Sequence, residues 1–151
     1  MKRTILLPFV ALLSSVTLAQ TVEFYTPRTV RIVKENGQSN EKKSLVVIAS
    51  PQKVKVSQSQ QNGATIYKSS ALTVTVKDGS VSFADAKGTP LTSEGNWGFQ
   101  AITDGPDKGS YKVKQSWNVE ADEGIYGVGL LQNGKMSQRG ENRRLEQNNL
   151  E

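Results

Sequence analysis

Leu72-Thr73-Val74-Thr75-Val76-Lys77-Asp78-Gly79-Ser80-Val81-Ser82-Phe83 decides the fold class. Leu72, Val74 and Val76 alternate with Thr73, Thr75 and Lys77, so one face of an extended strand is apolar and the other polar. Asp78-Gly79 tolerates the positive φ angles of a tight hairpin turn. Val81 and Phe83 then resume the apolar alternation on a return strand. The stretch is a β-hairpin with one face turned to a core.

Outward from this hairpin the same grammar repeats. Thr29-Val30-Arg31-Ile32-Val33-Lys34 alternates and is rich in β-branched residues, and Glu35-Asn36-Gly37 closes it as a turn. Ser39 to Lys43 reads as a polar loop. Leu45-Val46-Val47-Ile48 is a continuous apolar run, expected of a strand buried on both faces and broken by Pro51. Lys53-Val54-Lys55-Val56-Ser57 alternates strictly. Ser57 to Gly63 is polar and reads as turn-forming, and Thr65-Ile66-Tyr67 as a brief strand. Asp85-Ala86-Lys87-Gly88 is a second turn leading into Pro90-Leu91, and Tyr111 to Val119 alternates over a longer span. Trp97, between Gly95-Asn96 and Gly98, sits in loop-like company. No amphipathic helix is apparent in this part of the chain. Short strands with turns every 8–12 residues or so define an all-β class, and the pattern alone leaves sandwich and barrel both open.

The first residues belong to a different grammar. Met1-Lys2-Arg3 is basic, Ile5 to Leu13 is apolar, and Thr17-Leu18-Ala19 ends in small residues. These are the parts of a secretory signal peptide. The apolar run is shorter than the roughly 20 residues that span a bilayer. Residues 1–19 are therefore expected to be a signal peptide, with cleavage after Ala19. Residues 20–151 are expected to form one exported domain, periplasmic or secreted, with no membrane attachment after cleavage.

Composition narrows the chemistry. The chain has no Cys and no His. Disulfides, zinc sites of the usual nitrogen and sulfur type, a Cys nucleophile and a Ser–His pair are excluded, and no cofactor is expected. The net charge is +5, of which Lys2 and Arg3 supply two. No basic run is interleaved with aromatics, so no nucleic-acid partner is expected. Arg139, Arg143 and Arg144 lie among Glu141 and Glu146 and read as a solvated mixed-charge face. Asp104-Gly105-Pro106-Asp107 is faintly calcium-like but reads as turn chemistry.

Ile125-Tyr126-Gly127-Val128-Gly129, Gln132-Asn133-Gly134, Arg139-Gly140 and Leu145 to Glu151 together resemble the N-terminal domain of glycoside hydrolase family 31. That domain typically carries Tyr-Gly-Leu/Phe-Gly near its end; here Val128 stands at the third place. The Asp78-Gly79 hairpin, with Gly88 and Leu91, matches the same domain's turn region. The sub-type resembled is the bacterial α-xylosidase and α-glucosidase group. The resemblance implies an antiparallel, galactose-mutarotase-like β-sandwich, incomplete at its C-terminal end and preceding a catalytic (β/α)8 barrel.

In this family two carboxylates of the barrel carry out a retaining mechanism. No catalytic residue is therefore expected among these 151. Asp122-Glu123 reads as a turn, since neighbours on an extended chain face opposite ways. By resemblance to an Asn-Arg-Asp loop of the family, Asn149 and Glu151 are candidate substrate-binding residues, with Leu150 in place of the Arg and Glu in place of the Asp. The expected partner is an α-linked xylo- or gluco-oligosaccharide. Trp97, Phe99, Tyr111, Trp117 and Tyr126 are candidates for stacking or for packing. Alternatives are a stand-alone carbohydrate-binding module and a structural exported β-domain. With strands missing, an open apolar edge is expected to make residues 20–151 marginal, oligomeric or poorly soluble when isolated.

Overall fold

A computed structural model describes residues 20–35, 45–127 and 133–142. The described residues form eight β-strands and no helix. They are β1 Gln20–Thr26, β2 Thr29–Lys34, β3 Ser57–Gln61, β4 Ala64–Lys68, β5 Leu72–Lys77, β6 Ser80–Asp85, β7 Pro90–Ala101 and β8 Tyr111–Asn118. β1 and β2 make a two-stranded sheet, and β3 to β8 make a six-stranded meander in sequence order. The paired registers are antiparallel. Of the two architectures that patterning left open, the fold is the sandwich.

The hairpin at Asp78-Gly79 anchors the meander. Both turn residues have positive φ, 50° and 76°, the geometry whose twist matches that of the flanking strands. That turn sets Val74 opposite Phe83 and Val76 opposite Val81. Val74 and Val81 are fully buried and, with Phe24 and Leu72, form the core. The β1–β2 hairpin supplies the opposing layer. Val22 pairs with Ile32 and Phe24 with Val30, so these four share one face, and all pack into the core.

Ser69 ties the two layers at one end of the hairpin. Its buried hydroxyl donates to the Pro27 carbonyl at 2.6 Å and accepts from the Leu72 amide at 2.9 Å. One side chain thus satisfies groups from the β1–β2 turn and from the start of β5, as a buried hydroxyl must.

Four expectations change. Leu45 to Ile48 forms no strand: Leu45 is 97% and Ile48 91% exposed. An apolar run without alternation carries no information about which way it faces. Ser57 to Gln61 is not a turn but β3, and only Asn62-Gly63 turns, with φ of 51° and 76°. That turn holds the polar strand in register with β4, and all five β3 residues are exposed. Lys53 to Val56 keeps its alternation in burial and packs Val54 and Val56 on the core, yet lies outside any strand. Trp97 lies within β7 and is half-buried. Patterning also assigned no element to Gln20–Thr26, which is β1.

Asp85 stabilises the β6–β7 turn. Its carboxylate accepts from the Thr89 and Lys87 amides, each at 2.8 Å. The Thr89 amide bond chiefly holds its pKa below the ordinary 3.8. A depressed carboxylate stabilises the folded state above its ordinary pKa and loses that contribution as pH falls through the lowered value. The Thr89 amide resonance should therefore titrate at a pH below 3.8, and Asp85→Asn should abolish the titration, both read by NMR.

Gly79 offers a sharper test. A Cβ there would come within 3.1 Å of the Trp97 ring, tighter than ordinary contact, whereas one at Gly63, at the same φ of +76°, meets nothing within 4 Å. Gly63→Ala should cost about 1 kcal/mol from left-handed strain alone. Gly79→Ala should cost measurably more, with the excess read by urea unfolding of the two variants.

Candidate functional site

The inward alternation of β2 runs Val30, Ile32, Lys34, and the last position is charged. Lys34 Nζ donates to Glu94 Oε2 at 2.5 Å and to the Gly79 carbonyl at 2.8 Å. It lies 3.8 Å from the centre of a Trp97 ring. Glu94 Oε2 also accepts from the Val81 amide at 2.8 Å. The side chains of Lys34 and Glu94 are only 10% and 4% exposed. Low exposure removes water's screening, so each charge depends on these partners.

Beside this cluster a cleft of about 420 Å³ opens between the β1–β2 hairpin and the end of the meander. Its walls include Phe83, Trp97, Phe99, Val113 and Trp117. Phe83 and Trp117 are tilted at 6.1 Å between centroids. Trp97, Phe99 and Tyr111 form an edge-to-face chain at 6.2 and 6.4 Å, the geometry that ring quadrupoles favour. The wall is exposed where β8 forms it: Trp117 is 48% and Val113 70% exposed.

The cleft has the chemistry of a packing or stacking surface. Glu94 is the one carboxylate in its lining among the described residues, and it is committed to Lys34 and Val81. Cleaving a glycosidic bond takes two carboxylates flanking it. Of the candidate aromatics, Trp97, Phe99 and Trp117 line this cleft, and Tyr111 packs edge-on against Phe99.

The chain divides into two compact units at Trp117 and Asn118, and the second holds the glycine-rich motif. Residues 124–127 form no strand, and Tyr126 is exposed. The Gln138 amide donates to the Ile125 carbonyl at 2.8 Å. Arg139 is not merely solvated: its guanidinium donates to the Glu120 and Glu123 carbonyls at 2.6 and 2.8 Å. Asp122-Glu123 is a turn, closed by the Glu123 amide donating to the Glu120 carbonyl. Lys135 pairs with Glu141. Val128 to Gln132, Arg143, Arg144, Asn149 and Glu151 lie outside the described residues.

The Asp104 to Asp107 stretch is a hydrogen-bonded turn in the first unit. Lys108 donates to the Gly105 carbonyl and Ser110 to that of Asp107. No group of three or more potential metal ligands occurs among the described residues.

Residues 19–150 match the glycosyl hydrolase 31 N-terminal galactose mutarotase-like domain. The chain belongs to this family. Among solved structures it is similar to the GH31 α-xylosidase from Xanthomonas citri, at 33% identity and a TM-score of 0.54. That similarity covers 63% of this chain and 11% of the α-xylosidase. No curated protein matches. The galactose-mutarotase-like sandwich implied by the Tyr-Gly-Val-Gly motif and the Asp-Gly hairpin is thus the fold of the chain.

The Lys34–Glu94–Trp97 cluster went unread in the sequence. The available signal was Lys34 itself, a charge at an inward position of an alternating strand. Lys34→Met should lower the unfolding free energy by about 3 kcal/mol, because it strands a buried carboxylate. Adding Glu94→Gln should restore part of the loss, since a neutral amide oxygen still accepts from Val81. Chemical denaturation of the two variants measures both.

Proposed function

We propose that this chain is the N-terminal, non-catalytic sandwich portion of an exported family 31 enzyme that hydrolyses α-xylosidic or α-glucosidic bonds. The observation that carries the reading is the 33% identity to an α-xylosidase of which the chain spans 11%. The basic and apolar start of the chain supports export to the periplasm or beyond.

In this reading the sandwich supports the enzyme. Further strands of a longer protein cover the aromatic cleft and pair with β8, whose residues are nearly all exposed. Burying Val113 and Trp117 in this way returns about 25 cal/mol for each Å² of apolar surface covered. Asn149 and Glu151 reach substrate in the assembled enzyme, where the carboxylate accepts hydrogen bonds from sugar hydroxyls. Two barrel carboxylates do the bond cleavage.

Trp117 favours a second reading, in which the chain binds carbohydrate by itself. A half-exposed indole beside Phe83 presents an apolar ring face of the kind sugars stack on.

One pair of measurements tests both. The product of the reading frame continued past Glu151 is expected to cleave aryl α-xyloside or α-glucoside, and the 151-residue chain neither. A continued product that folds but cleaves neither substrate overturns the first reading. Titration of the 151-residue chain with α-linked xylo- and gluco-oligosaccharides, followed by tryptophan fluorescence, is expected to show no saturable change. A saturable change that Trp117→Ala abolishes establishes the second reading.

A further inference from the structure

Gln20 begins β1 on its inward face. It shares that face with Val22 and Phe24 and pairs across the ladder with Lys34. Both polar atoms of its side chain, Nε2 and Oε1, are buried and have no hydrogen-bond partner. A buried carboxamide with neither end satisfied costs on the order of 1–3 kcal/mol for each polar group left unpaired. Gln20 is also the residue that cleavage after Ala19 makes the first of the chain.

Cleavage there creates a second difficulty. A free α-ammonium at Gln20 adds an unpaired positive charge to the residue that pairs with Lys34 in the ladder, whose own ammonium is already held by Glu94. An N-terminal glutamine has a chemical way out of both problems. Its unprotonated α-amine attacks its own side-chain Cδ, a new amide bond closes a five-membered lactam, the Cδ–Nε2 bond breaks, and Nε2 departs as ammonia. The step needs no oxidant, reductant or second substrate.

We propose that the mature chain starts with pyroglutamate, formed from Gln20. The lactam discards the buried NH2 group and its unmet donors. It removes the α-ammonium and retains one ring N–H and one carbonyl. It also protects the end of β1 from aminopeptidases, which require a free amine. The proposal rests on the export reading, because only cleavage after Ala19 frees this amine.

The chain encoded from Met1 is expressed in a secreting bacterium, and the exported product is examined by intact mass, stepwise N-terminal degradation and pyroglutamyl peptidase treatment. The expected product begins at position 20, is lighter than the Gln20 form by one ammonia, resists degradation and becomes degradable after the peptidase. Gln20→Ala is expected to yield a product open to degradation from the start. An exported product that begins with unmodified Gln20 overturns the proposal and leaves export standing. A product that keeps residues 1–19, or begins elsewhere, overturns the cleavage reading and the proposal together. The mass tells the two failures apart.

Discussion

A single ammonium, that of Lys34, joins β2 to a strand and a turn of the other sheet. It donates to a carboxylate of β7 and to the carbonyl in the turn between β5 and β6, and it lies against the Trp97 ring. The β1–β2 sheet has only two strands, and an isolated hairpin is marginal in water. Its apolar face therefore has to be held on the meander. Ser69 pins the turn of the hairpin and Lys34 its open end. Between these two points Val22, Phe24, Val30 and Ile32 complete a core in which Val74 and Val81 are fully buried.

The pair is specific as well as cohesive. A buried charge is tolerated only in the arrangement that satisfies it. Slipping the hairpin by one residue would turn its inward face out and would separate Lys34 from Glu94. The Asp78-Gly79 turn participates twice. Its backbone conformation sets the β5–β6 register, and its Gly79 carbonyl accepts from Lys34. The missing Cβ at Gly79 also leaves room for the Trp97 ring. Turn, ion pair and indole thus act as one joint.

The aromatic cleft is the continuation of this joint toward β8. Where the hairpin covers the meander, the face is buried; beyond it, Val113 and Trp117 are open. Such a surface fits a domain that is one part of a larger fold, in keeping with the 11% of the α-xylosidase that the chain spans.

Local chemistry decided what was legible in the sequence. The Leu72–Phe83 hairpin, the β2 alternation and the turn at Asp85 are specified by short-range period and turn residues, and each could be read directly. The family was legible in the Tyr-Gly-Val-Gly segment and the Asp-Gly turn taken together. Candidate substrate residues Asn149 and Glu151 came from that resemblance alone and lie outside the described residues. The tertiary structure decided the rest. Ser57 to Gln61 is a strand because β4 pairs with it, and its own composition does not call for one. Trp97, between Asn96 and Gly98, is structural because Lys34 arrives from 63 positions earlier in the chain, as the two residue numbers show. Period and turn chemistry act over a few residues, whereas burial and ion pairing depend on which distant segments the fold brings together.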